Sequence, residues 1–171
     1  YGESSILVFR RNHMPLECNQ NTMSDHDMEA FMEYLTAAHR HGFTHRRITP
    51  DTLSRMENNQ PVIAGWQNGD YGSASPNFAL DKVQLLVLLA TLNGVDRAVA
   101  CARRTWGDEQ LINLAPFVQK AAVPAATRAL PGWDKKMLAD LRTRIPALAP
   151  QNVADSMEKV TLSRFSFRSF F

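Results

Sequence analysis

Cysteine is nearly missing: Cys18 and Cys101 are the only two in 171 residues, too few for a disulfide framework and at no metal-binding spacing. Long apolar runs are missing as well, the longest being Leu85 to Leu92, too short to cross a bilayer. Neither sign of charge dominates. A formal net charge of +2, with no basic stripe interleaved with aromatics through the middle, argues against nucleic acid as a partner. No glycine-rich G-x-G-x-x-G loop occurs, no internal repeat at solenoid periods, and no low-complexity linker that would split the chain. Tyr1-Gly2-Glu3-Ser4 carries neither a start Met nor a signal-peptide pattern, so it reads as a cut inside a longer protein.

What is present is the ordinary composition of a folded domain, 44% hydrophobic and 21% charged, in a chain long enough for one real core. Ser5 to Arg10 is a short apolar run with β-branched residues and predicts a strand. Asn12 to Asn21 is polar, contains Pro15 and predicts a connector. Ser24 with Asp27 three residues on has the form of a capping box. Met28, Phe31, Met32, Leu35 and Ala38 then fall on one face of a helix running to His41 and leaving at Gly42. A polar turn, Met56 to Gln60, between Leu53 and Val62 predicts a two-stranded ribbon, and Gln67 to Asn77 predicts a loop. Asp81 is expected to open a helix that is apolar nearly all round. Further helices are expected over Val95 to Trp106, Asp108 to about Ala121, from Pro124, from Trp133 or Asp134 to before Pro146, and over Asn152 to Ser163.

The stretch His45-Arg46-Arg47-Ile48-Thr49-Pro50-Asp51-Thr52-Leu53, followed by Val62-Ile63-Ala64-Gly65-Trp66, resembles the catalytic-loop region of a protein kinase, which reads H-R-D-L-x-x-x-N and then D-F-G. His45 and Arg46 match. Arg47 stands where that family has its catalytic Asp, Thr52 where it has the metal-binding Asn, and Ala64 where it has the Asp of D-F-G. Asp81 matches the family's structural Asp, whose role there is to hold the backbone of the His-Arg turn. The resemblance therefore implies a mainly α fold with a small β component: a kinase-like C-lobe with most of the N-lobe absent. Residues 1–22 would be the last N-lobe-like strand and hinge, 23–150 the helical lobe, and 151–171 a terminal helix with a basic-aromatic juxtamembrane segment.

It also implies an inactive enzyme, a pseudokinase without cofactor. Phosphoryl transfer needs a carboxylate to orient the attacking hydroxyl and further groups to hold magnesium. An Arg, a Thr and an Ala do not supply them. His45, Arg46 and Asp81 would remain as anchors of the loop. The rival expectations are a truncated phosphotransferase of the aminoglycoside or choline kinase type, which also needs the Asp missing at Arg47, and a plain helical interaction module.

Other candidates are weaker. His39, His41 and His45 invite a metal, but residues two apart on a helix face different ways and no local acid or Cys completes a set, so no metal site is expected. His39 and His41 are instead expected at a helix end, where positive charge is favoured by the dipole. Trp66 and Trp106 are expected in the core. The last residues stand apart: Phe165, Phe167, Phe170 and Phe171 are four of nine Phe in the chain, with Lys159, Arg164 and Arg168 beside them and no acid after Glu158. Basic residues with exposed aromatics suit an anionic membrane surface. The run from Ala79 through Ala121 is similar to the kinase-like region of certain actinobacterial membrane proteins, where it precedes a transmembrane part of the lysylphosphatidylglycerol-synthase or flippase-like type. The expected partners are then the chain's own transmembrane region, an anionic membrane surface and a regulatory protein, at the cytoplasmic face of the cell membrane.

Overall fold

The computed structural model describes residues 14–15, 23–72 and 75–149. Its first helix, α1, spans Asp25–Arg40 and starts as its residues require. Ser24 Oγ accepts from Asp27 N at 3.1 Å and Asp27 Oδ2 accepts from Ser24 N at 3.4 Å, so two amides are satisfied reciprocally. Met28, Phe31, Met32, Leu35 and Ala38 form its buried stripe. Gly42, at φ 84°, takes the chain out through the left-handed region where a Cβ would be strained.

The described residues contain five short strands: β1 (Met14–Pro15), β2 (Phe43–Thr44), β3 (Leu53–Arg55), β4 (Pro61–Ile63) and β5 (Asp70–Tyr71). The expected ribbon is β3 against β4, antiparallel, with Leu53 opposite Ile63 and Ser54 opposite Val62. Two departures are instructive. The polar connector from Asn12 to Asn21 contributes β1 to the outer edge of that ribbon, Pro15 opposite Ser54. Proline is tolerated on an edge, where its missing N–H need not enter a ladder. The expected loop from Gln67 to Asn77 contains β5, which pairs with β2 (Phe43 opposite Tyr71), and the first residues of the next helix. A two-residue strand is too short to carry a period-two pattern, so neither β1 nor β5 announces itself.

α2 runs Ser75–Asn93. Asp81 therefore lies in its second turn rather than at its start; Pro76, in the first turn, has the fixed φ that helix starts accept. Val83, Leu85, Leu86, Val87, Leu88, Leu89 and Leu92 are all buried, as a helix apolar all round must be at the centre of its domain. α3 (Val95–Thr105) packs on both α1 and α2. α4 covers only Asp108–Leu114, not the longer helix to Ala121, and dissolves into 3-10 turns at Ala115–Phe117 and Lys120–Ala122. Pro116 explains the break, since its ring clashes with the preceding turn and it has no N–H to give. α5 is a single turn, Ala125–Arg128, and α6 spans Lys135–Arg144 with the Asp134 carboxylate accepting from Lys136 N at 2.9 Å.

The chain is thus mainly helical with a small sheet component. Trp66 and Trp106 belong to one core with α1 and α2. Among the described residues no helix is long and apolar enough to cross a membrane. The strand expected at Ser5 to Arg10 and the helix expected at Asn152 to Ser163 lie outside the described residues.

Candidate functional site

From His45 to Thr49 the backbone is in neither helix nor strand, so five consecutive amides must find partners elsewhere. Each finds a side chain. His45 N donates to Asp81 Oδ2 at 2.6 Å and Arg46 N to Asp81 Oδ1 at 2.8 Å. Arg47 N donates to His45 Nδ1 at 3.2 Å, Ile48 N to Gln84 Oε1 at 2.9 Å, and Thr49 N to Thr52 Oγ1 at 3.1 Å. Asp81 has no exposed surface and takes a further contact, His39 Nε2 at 3.0 Å. Arg46 sits at φ 75°, which costs a residue other than glycine about 1 kcal/mol. Its amide is fixed by Asp81, and its carbonyl accepts from Gln84 Nε2 at 3.4 Å.

His45 ties this turn to the strand beyond. Because Nδ1 accepts from the Arg47 amide, the ring hydrogen sits on Nε2 and is donated to the Ala64 carbonyl at 2.6 Å. This is the neutral imidazole. Burial lowers its pKa from 6.5, opposed by the Ala64 carbonyl and the charges of Asp81 and Asp51. The ring meets Trp66 edge-on, centroids 4.8 Å apart, and Trp66 Nε1 donates to Ile63 O at 2.6 Å. Gly65 closes the contact at φ 82°: a Cβ there would lie 3.0 Å from Thr52 Cγ2.

Arg47, Thr52 and Ala64, the positions at which the sequence departs from the resembled pattern, lie at this frame. Arg47 is exposed. Thr52 is buried and its hydroxyl is committed, donating to Thr49 O at 2.8 Å while accepting from Thr49 N. Ala64 offers its backbone only, its amide donating to Thr52 O at 2.7 Å. Asp51 is exposed and accepts from Thr49 Oγ1. A guanidinium is protonated at any working pH and cannot receive a hydroxyl proton. A methyl group and an occupied hydroxyl leave magnesium without the anionic oxygens it prefers. Chemically, the arrangement fixes a loop and presents Arg46 and Arg47 to solvent, Arg46 in an exposed pair with Asp70 at 3.3 Å.

The structure brings His45, Arg46 and Asp81 together and adds Gln84, which the sequence did not single out, and His39, which it named only as a metal candidate and a helix-end residue. Gln84 lies nearly one helical turn beyond Asp81. His39 lies in the last turn of α1 and His41 caps it, as expected of a helix end, and the His39 side chain is in addition 9% exposed against Asp81 while His41 is exposed. The pull is a buried carboxylate 42 positions away, which no local pattern reveals. Among the described residues no group of three or more His, Cys, Asp or Glu is arranged to hold a metal ion. Lys159, Arg164, Phe165, Phe167, Arg168, Phe170 and Phe171 lie outside the described residues. Compared with known proteins, the chain matches no family model, no curated protein and no solved structure.

Proposed function

We propose that this chain is a kinase-like domain without phosphoryl-transfer activity, acting as a regulatory or scaffolding part of a membrane protein. One observation carries the reading: the Asp81 carboxylate takes the amides of His45 and Arg46, while Arg47, Thr52 and Ala64 stand where the chemistry of the resembled family needs a base and metal ligands. A loop so thoroughly bonded, with its reactive groups replaced, fits a fold kept for its shape. Its working surfaces are the helices and the cleft around Arg46, Arg47 and Trp66, facing a regulatory protein. Its setting is the cytoplasmic face of the cell membrane, beside a transmembrane region engaged in phospholipid synthesis or translocation.

Calorimetric titration with magnesium-ATP, followed by an assay for labelled product, tests the reading. The expected outcome is no turnover, for the wild type and for Arg47→Asp alike, because Thr52 and Ala64 still provide no metal ligand. Magnesium-dependent binding with labelled product from the wild type would defeat it. It would also restore the small-molecule phosphotransferase as the better account.

A further inference from the structure

Among the described residues the arginines differ in what their guanidiniums meet. On the α1–α3 side, Arg97 meets Asp25, Arg104 meets Asp25 and Glu29, and Arg103 meets Asp108. On α5 and α6, Arg144 pairs with Asp96 and Asp140, whereas Arg128 and Arg142 meet uncharged partners. Arg142 Nε donates to Val118 O at 2.7 Å and Arg128 Nε to Val123 O at 3.2 Å, so the two guanidiniums grip both ends of the 118–123 segment by its carbonyls. Lys120 stands between them on that segment. Lys135, seven residues before Arg142, lies two turns along the same side of α6, with Lys136 beside it.

No acid occurs from Gln110 to Trp133. Of the flanking acids, Glu109 is exposed, Asp134 caps α6, and Asp140 pairs with Arg144 at 2.9 Å. Lys120, Lys135, Lys136 and Arg142 are exposed and Arg128 is half-buried. Among the described residues no carboxylate forms an ion pair with any of the five. Phe117, Leu130 and Trp133, each half-buried, belong to the same stretch.

We infer that the face formed by Lys120, Arg128, Lys135, Lys136 and Arg142 lies against the anionic headgroups of a phospholipid bilayer. The inference rests on the membrane setting proposed above and adds a second, folded contact to the basic-aromatic end of the sequence. Charge complementarity selects the occupant. The cations are spread over ~10 Å of α6 and the adjoining turns, which suits a sheet of phosphates better than one bound anion. Half-buried aromatic and apolar side chains beside them suit the headgroup boundary. Each cation brought to an anionic surface contributes attraction that salt weakens.

Co-sedimentation of the full chain with lipid vesicles tests this. The vesicles are pure phosphatidylcholine, or phosphatidylcholine with about one-third phosphatidylglycerol. The wild type is expected to bind only the anionic vesicles and to be released as salt rises. Lys120→Gln with Lys135→Gln is expected to lower the partition coefficient about 30-fold, with an unchanged thermal melt by circular dichroism. Partition equal to wild type in that variant, with loss confined to Arg164→Gln with Arg168→Gln, would overturn the face and leave the membrane setting intact. A wild type that ignores anionic vesicles would overturn both. Binding to polyglutamate that depends on Lys120 and Lys135, without vesicle binding, would overturn the lipid assignment in favour of an acidic protein. The ATP titration is read separately and decides the kinase-like reading by itself.

Discussion

At the His45 turn one carboxylate with no exposed surface, Asp81, is shared by two amides and an imidazole, at 2.6 to 3.0 Å. On the α1–α3 side several carboxylates and guanidiniums also meet, Asp25 with Arg97 at 2.9 Å and Asp108 with Arg103 at 2.7 Å, yet 37 to 51% of each of these side chains is exposed. The distances are alike and the surroundings are not. Where water is excluded, a missing acceptor leaves donors with nothing to bond. Where water is present, it replaces the lost partner and screens the charge. Burial, more than contact distance, should therefore rank what each charged residue contributes.

The sharpest way to break that ranking is at Asp81. Asp81→Ala is expected to lower the unfolding free energy by about 3–5 kcal/mol, because it orphans buried donors of His45, Arg46 and His39 together. Asp81→Asn, which keeps one acceptor oxygen, should lose less. Urea denaturation of both variants measures it. Wild-type stability in Asp81→Ala would mean that solvent reaches the turn after all, and the contrast between the two regions would vanish.

Asp27 lies between the extremes and sharpens the comparison. Its carboxylate receives the Arg55 fork at 2.7 and 3.2 Å and caps α1, with the two side chains 16 and 19% exposed. The Arg55 hydrogen bonds are the main cause holding its pKa below 3.8, with burial opposing. Asp27→Ala should cost about 1–2 kcal/mol through loss of the cap and the fork. Since the folded pKa is depressed, this stabilisation is full above 3.8 and is lost as pH falls through the folded value. An acid titration of the unfolding midpoint should therefore show a drop below pH 3.8 in the wild type that Asp27→Ala lacks.

How much of this was legible differs sharply between elements. The buried face of α1 is written in the spacing of Met28, Phe31, Met32, Leu35 and Ala38, because helical periodicity is local. The apolar run of α2 is equally plain, though the start at Ser75 is not, since the only nearby signal is Ser-Pro. Strands β1 and β5 exist through their neighbours alone. At the site, His45, Arg46 and Asp81 came from a family resemblance, whereas His39 and Gln84 are chosen by contacts across 36 to 42 positions. The carbonyl bonds of Arg128 and Arg142 have no sequence signature at all.

A smaller effect is expected from His45, because its lowered pKa is a balance: burial depresses it while the Ala64 carbonyl, Asp81 and Asp51 pull the other way. The folded state favours the neutral ring, so its contribution is full above 6.5 and fades as pH falls from there through the folded value. Protonation at Nδ1 would set a hydrogen against the Arg47 amide. The wild-type unfolding midpoint should decline as pH falls below 6.5, and His45→Gln should remove that slope whatever its own midpoint. A slope surviving in His45→Gln would assign the titration to another group.

The smallest effect is expected where the geometry looks best. Arg103 meets Asp108 through two parallel bonds, Nε to Oδ1 at 2.7 Å and Nη2 to Oδ2 at 3.1 Å, each raising or lowering the other's pKa in the direction an ion pair requires. Yet the side chains are 51 and 40% exposed, so ordering them in water offsets the attraction and salt screens the rest. Arg103→Gln should leave the urea midpoint where it was, at low and at high salt. The deficit of Asp81→Ala, by contrast, should persist at both, since mobile ions do not enter its site. If Arg103→Gln instead lowered the midpoint as far as Asp27→Ala, bond length and fork geometry would be the governing variables, and the buried carboxylate of the His45 turn would lose its special standing.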